Sequence, residues 1–242
     1  MMFEALKRKL TPTSALTLAL GLFLSLGVVI ATPQTEVAIN GKPAPTYFND
    51  GDSFRVLKGE HQGTKARLAG YNTLESFGPV HRWGTWTARE LYNNAKMATL
   101  NAMRGRWSCE FGGDRDTYGR GLFWCESLAA DQIRQGLAHA MSVNRDPGKP
   151  VLLAAQREAI QARRGMWSKG VPDYVLTSLH STAEDPSRER TYNRLVSTKD
   201  GHSEKWLHTR RYDECEWVCA DRVTIADTTR QATLSRLRSA AE

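Results

Sequence analysis

Asp50, Asp52 and Glu75, with Arg67 and Arg120, are the residues whose types and spacing could do chemistry in this 242-residue chain. One stretch reads Asp50-Gly51-Asp52-Ser53, followed by Arg67-Leu68-Ala69-Gly70-Tyr71-Asn72-Thr73-Leu74-Glu75. A second reads Asp116-Thr117-Tyr118-Gly119-Arg120-Gly121. Neighbouring carboxylates hold a hard cation through oxygen ligands. Guanidinium groups offer planar forks to phosphate oxygens. A metal, an activated water and a cationic clamp are what phosphodiester hydrolysis requires.

The charge balance agrees. The chain carries a formal net charge of +7 and a pI near 9.4, which draws it to nucleic acid or to anionic membrane surfaces. Residues 181–242 hold 11 basic and 11 acidic residues, so the whole excess precedes Ser181, as 22 basic against 15 acidic. Lys7, Arg8 and Lys9 against Glu4 supply two of those units, and the rest falls on the region with the candidate site.

The elements that must position this site can be read coarsely. Ser53 to Lys58 and Lys65 to Tyr71 alternate as half-buried strands, with Gly70 where the second must bend. Thr85 to Met103 reads as a helix whose apolar face holds Trp86, Leu91, Ala95, Ala98 and Ala102. Arg106 to Gly112 and Gly121 to Leu128 form a hairpin. One register pairs Phe111 with Phe123, Cys109 with Cys125 and Trp107 with Ser127 on a common face. Ala129 to Ala140 and Val151 to Arg164 are two further helices, and Met166 and Trp167 dock back on the core. Strands, helix, hairpin, helix, helix is the order of a small antiparallel barrel with packed helices, an α+β fold of the OB type.

The remaining segments frame this domain. Ala15 to Ala31 is 17 residues without a charge, preceded by Lys7-Arg8-Lys9. It reads as a signal peptide or an uncleaved membrane anchor, and either exports the downstream chain to a secreted, periplasmic or membrane-anchored location. Residues 32–45 and 171–203 read as linkers around a domain at 46–170, and 204–242 as an extension of unknown role and unknown partner. Export permits disulfides. Opposed strand residues such as Cys109 and Cys125 lie within disulfide reach; the alternative is two buried thiols. Cys215 and Cys219 can bond only if they sit in a helix or turn, since four residues of strand span about 13 Å.

The ordered set of motifs resembles the staphylococcal nuclease, or thermonuclease-like, family over about Tyr47 to Trp167. It comprises Asp-Gly-Asp-Ser at 50–53, Arg-Leu-Ala-Gly at 67–70, Thr73 and Glu75, Asp116 with Tyr-Gly-Arg-Gly at 118–121, Arg-Gln-Gly-Leu-Ala at 134–138 and Arg-Gly-Met-Trp at 164–167. The resemblance implies an OB-type five-stranded barrel with three helices, and calcium-dependent cleavage of DNA and RNA with little sequence preference. It implies Asp52 as a direct Ca2+ ligand, Thr73 as a ligand through its backbone carbonyl and Asp50 as outer-shell support. Glu75 would position or deprotonate the attacking water, Arg67 and Arg120 would grip the phosphate, and Tyr118 would pack beside it. Members with export signals often carry a cysteine in each strand of the same hairpin, like Cys109 and Cys125.

The chain departs from the family's pattern at five residues, and its loop from Glu75 to Gly84 is shorter than in the best-known member. The second metal carboxylate is Asn72, which can still ligate through its amide oxygen with one negative charge fewer. The proline before the glutamate is Leu74, so the bend is expected to be less rigid. The positions of two base-stacking tyrosines in the best-known member are Ser142 and Asn144, and the acid on the last helix is Gln156. The expected function is a Ca2+-dependent nuclease. The alternatives are a nucleic-acid-binding module impaired by Asn72 and Leu74, or an envelope protein whose C-terminal extension carries the function.

Overall fold

The computed structural model describes residues 35–75, 79–178, 192–207 and 223–224. The apolar run at 15–31 and the Cys215–Cys219 pair lie outside them. Alternation of buried and exposed residues produces a series of short strands: Thr35–Ile39 (β1), Lys42–Asp50 (β2), Ser53–Val56 (β3), Lys65–Leu68 (β4), Tyr71–Thr73 (β5) and Pro79–Val80 (β6). After the helix Ala88–Arg104 (α1) come Trp107–Arg115 (β7), Gly121–Trp124 (β8), the helix Glu126–Arg134 (α2), Ala138–Ala140 (β9) and the helix Pro150–Gln161 (α3). A 3-10 turn at Gly165–Trp167 leads to Tyr174–Ser178 (β10), Tyr192–Ser197 (β11), Ser203–Leu207 (β12) and Val223–Thr224 (β13).

The main sheet is a closed barrel in the order β1-β2-β3-β4-β8-β7, with the three helices packed on it. Two parallel contacts close it, β4 with β8 and β1 with β7. Six strands stand where five are expected, because residues read as a linker form β1 and the start of β2. Val37, Ile39 and Ala44 are buried there at alternate positions, a period-two pattern masked by Pro43, Pro45 and the polar residues between them. The hairpin register holds at its centre, with Phe111 opposite Phe123 and Cys109 bonded to Cys125. It fails at its base: Ser127 is already in α2, and Trp107 pairs with Val37 of β1 instead. The expected helix Ala129 to Ala140 begins earlier and stops at Arg134, and Ala138–Ala140 is a strand that pairs with β5.

Two apolar clusters fill the domain. The first, inside the barrel, stacks Phe111 on Phe123 at 4.3 Å and sets Phe54 edge-on to Phe48 and Phe123. The second joins Leu74, Trp83, Trp86, Leu91 and Tyr92 to Met166, Trp167 and Val175. Thr87 caps α1 in a reciprocal box with Glu90, and Lys169 pairs with the same glutamate.

Val175 makes the second correction. The segment read as a linker at 171–203 contributes β10 and β11 to a three-stranded sheet, β10-β11-β12. Val175, Leu176, Leu195 and Val196 are buried in it. Polar flanks hid two short strands whose inward residues are ordinary core residues.

Candidate active site

The Asp-Gly-Asp-Ser turn links β2 to β3 at one end of the barrel. Gly51 must be glycine: a Cβ there would lie 2.6 Å from the Thr73 methyl and 2.7 Å from Ala98 Cβ. Its absence lets the turn settle directly onto β5 and α1. Tyr71 donates its hydroxyl to the Gly51 carbonyl at 2.8 Å. Gln132, fully buried on α2, donates to Ala98 at 2.7 Å and to Gly51 at 3.4 Å. Asp50 accepts from the Asp52 amide at 3.1 Å and the Ser53 hydroxyl at 2.7 Å.

Asp52 is the hub. It is 3% exposed, and its Oδ2 accepts from the amide (2.7 Å) and hydroxyl (3.0 Å) of Thr73. Its Oδ1 accepts from Arg67, whose other terminal nitrogen donates to Oδ1 of Asn72. Asn72 in turn donates its Nδ2 to the Thr73 carbonyl at 2.6 Å. Asp50, Asp52, Arg67, Asn72 and Thr73 therefore form one connected network, held by the β2–β3 turn, β4 and β5.

Glu75 follows two residues after Thr73. It keeps partial exposure at the mouth of the site, while protein surrounds its carboxyl. That burial, then the charge of Asp52, pushes it up to about 8, against the pull of Arg67 and Arg120. Burial and Asp52 likewise push Asp50 up to about 7. Burial works against the charge of Arg67, but Asp52, Glu75 and Asp50 outweigh it and hold the guanidinium above its ordinary value. Leu74 does not loosen this bend: its side chain is buried in the second apolar cluster beside Trp83 and Tyr92. Packing anchors the segment where a proline ring would have stiffened it.

Arg120 arrives from the β7–β8 turn. Asp116 accepts from the Arg120 amide at 2.9 Å and from its Nε at 2.6 Å, and also from the Tyr118 amide at 2.9 Å. Partial burial would raise Asp116, but these bonds, that of the Arg120 side chain foremost, keep it below the usual carboxylate range. Gly119, at φ +77°, supplies the left-handed residue that closes the turn. Bonding through Nε leaves the terminal nitrogens of Arg120 for a phosphate. Its guanidinium lies 5.6 Å from the exposed Tyr118 ring. No hydrogen bond ties Arg120 to the Asp52 network among the described residues; its charge reaches that network through Glu75.

The oxygens of Asp52, Asn72 and Thr73, with Asp50 behind them, are donors suited to a hard divalent cation. Three carboxylates, those of Asp50, Asp52 and Glu75, act on the one guanidinium of Arg67. These residues fit a Ca2+ ion by donor chemistry. Among the described residues, no three His, Cys, Asp or Glu side chains form a ready metal cage. The amide at Asn72 takes the place of one such carboxylate, and the Thr73 carbonyl already accepts from it.

The comparison with known families bears on this geometry. Residues 65–169 match the family model of staphylococcal nuclease homologues. The matched residues hold Arg67, Asn72, Thr73, Glu75 and Arg120; β1 to β3, which precede the match, complete the barrel, with Asp50 at the end of β2 and Asp52 in the turn that follows it. No curated protein matches the chain.

Ser142 is half-buried and Asn144 exposed, on a loop with a structural neighbour. The turn between β11 and β12 is hydrogen-bonded onto their loop: the Ser142 amide donates to Gly201 at 2.7 Å and the Ser203 amide to Asn144 at 2.8 Å. Gly148 donates to Asp200 at 2.8 Å. Gln156, buried on α3, accepts from the Ala140 amide at 2.7 Å and donates to Thr198 at 2.6 Å, so it bridges β9 to the same turn. An acid at this position could not donate the second bond.

Three supporting residues escaped the sequence reading: Tyr71, Gln132 and His139. Gln132 had a signal, as a lone polar residue on the apolar face of Leu128, Ala129 and Ile133. His139 lies opposite Asn72 in the β5–β9 pair, and its Nδ1 donates to the Ala140 carbonyl at 3.2 Å. Its Nε2 is buried without a hydrogen bond, and burial pushes the imidazole down to about 4.

The histidine sets a pH response with a definite sign. Between about pH 6.5 and 4 the unfolded chain takes up a proton at His139 that the folded chain refuses, so the histidine's own contribution to stability falls as pH drops through that window, while Asp50 and Glu75, raised to about 7 and about 8, contribute in the opposite direction. The histidine's share of the loss is about 3 kcal/mol by pH 4. Urea unfolding of wild type and His139→Asn at pH 7 and near pH 4.5 isolates that share: the stability of wild type relative to the variant should fall between the two pH values.

Proposed function

We propose that this domain hydrolyses phosphodiester bonds of DNA or RNA, with Ca2+ held by Asp52, Asn72 and the Thr73 carbonyl, and Asp50 behind them. The observation that carries the reading is the single network of Asp52, Arg67, Asn72 and Thr73, with Glu75 and Arg120 beside it. The bound cation would supply Lewis-acid polarisation of the phosphate and would lower the pKa of a water.

Glu75 orients that water and accepts its proton; enclosure makes its carboxylate a stronger base than one on the surface. Arg67, released from part of its contact with Asp52 and Asn72, and Arg120, braced by Asp116, offset the charge that builds on the phosphoryl oxygens. Tyr118 lies next to that clamp with its ring open to the substrate.

We also assign the chain to the far side of the cytoplasmic membrane, with the run at 15–31 as leader or anchor. The Cys109–Cys125 disulfide supports this, since such bonds persist in oxidising compartments.

Asn72→Asp tests the metal assignment. It restores a negative ligand and removes the amide that occupies the Thr73 carbonyl. The expected result is Ca2+ binding tighter by roughly tenfold in calorimetry, since affinity follows ligand charge. Unchanged or weaker binding would place the cation elsewhere.

A further inference from the structure

The outer face of β2, β3 and β4 carries side chains that the hydrolytic site does not use. Alternation sends Phe54, Val56, Ala66 and Leu68 into the core, so Arg55, Lys65 and Arg67 point outward. The register sets Tyr47 opposite Arg55, and Arg55 opposite Lys65. Ala66 lies beside Gly121 in the parallel β4–β8 pair, and continuing that register by one residue places Lys65 beside Arg120. Tyr47, Arg55, Lys65 and Arg120 therefore form a row across four strands. At about 4.8 Å per strand the row runs roughly 14 Å, and Lys65 stands about 7 Å along β4 from Arg67.

Tyr47 is 54% exposed, and Arg55 and Lys65 are exposed as well. Among the described residues neither cation is paired with a carboxylate, in contrast to Lys42, which pairs with Glu60, and Arg134, which pairs with Glu158. Unpaired cations in line, ending on an aromatic ring, suit a polyanion with stackable faces.

We propose that this row is a track for the polynucleotide strand on one side of the scissile phosphate. Lys65 and Arg55 take successive phosphates outward from Arg120, and Tyr47 receives a base or sugar face. Its continuity with Arg67 and Arg120 favours a nucleic-acid strand over any other anionic partner, and it rests on the hydrolytic reading above. It also supplies the stacking that Ser142 and Asn144, which carry no ring, cannot.

The test is binding by the full chain, with divalent cations chelated, of a labelled dinucleotide and of a single strand of about 16 nucleotides, the upper site size of an OB fold. Replacing Arg55 and Lys65 together with alanine should weaken the longer strand and lower the salt slope of its log affinity by about 1.4, at roughly 0.7 per phosphate. Tyr47→Ala should weaken it about tenfold. The ratio of the two affinities should fall in both variants. Glutamine at 55 and 65 repeats the test if alanine lowers the unfolding midpoint.

Equal loss on both ligands, no loss on either, or a wild-type chain that binds no strand would overturn the track. So would a defect confined to anionic vesicles, which would give the face to a membrane. A track-dependent chain that never cleaves would sink the hydrolytic reading alone, and cleavage indifferent to Arg55, Lys65 and Tyr47 would sink the track alone.

Discussion

Glu75→Gln is expected to lower the cleavage rate by roughly 10²- to 10⁴-fold, the usual contribution of a positioned general base. The substitution keeps the shape of the side chain and removes its basicity. It also removes one of three carboxylates around Arg67, so folding should not suffer, and the urea midpoint should hold or rise. Arg120→Ala should cost a similar 10²- to 10³-fold, as loss of a group that stabilises developing charge does. Its stability cost should stay small, since the Asp116–Arg120 pair is a partly exposed turn contact. The pattern to look for is a rate that collapses while the fold stands. Unchanged rates in both variants would mean that any measured activity arises elsewhere.

The second large effect concerns the C-terminal sheet. Leu195→Ala should cost about 2–5 kcal/mol, as expected for a fully buried leucine. Removing residues 171–242 should do worse. It uncovers the cluster of Trp83, Trp86 and Trp167 that Val175 completes, and leaves Gln156 and the loop at 142–148 without their partners on the β11–β12 turn. The truncated chain should unfold without a sharp transition or fail to stay soluble. A cooperative transition at the full-length midpoint would show the sheet to be a detachable appendage.

Those strands mark where the sequence was hardest to read. The barrel centre was legible because Phe54, Phe111 and Phe123 impose one register, and the cysteines confirm it by bonding. Asp52, Arg67, Asn72 and Thr73 were legible as a group because their types suit one chemistry, and the structure does join them. What the sequence hid depends on long-range partners. β1 reads as a polar linker until Trp107 is placed beside Val37. β10 and β11 are short strands in a polar surround, and only the apolar cluster at Trp167 gives Val175 a place. Ser142 and Asn144 read as lost stacking positions, whereas their loop has gained a structural neighbour. Leu74 reads as a lost proline, whereas burial holds its bend. In each case local composition described the residue, and tertiary packing decided its role.

The assignment of the Asp52 network to phosphate chemistry predicts one result above the others. The full chain, incubated with single-stranded DNA and with RNA, should cleave at least one of them when Ca2+ is present. Cleavage should cease on chelation and return when Ca2+ is restored. The concentration of Ca2+ needed should drop in Asn72→Asp. A chain that binds the strands but cleaves neither at any Ca2+ concentration, in wild type and in Asn72→Asp alike, would contradict the account.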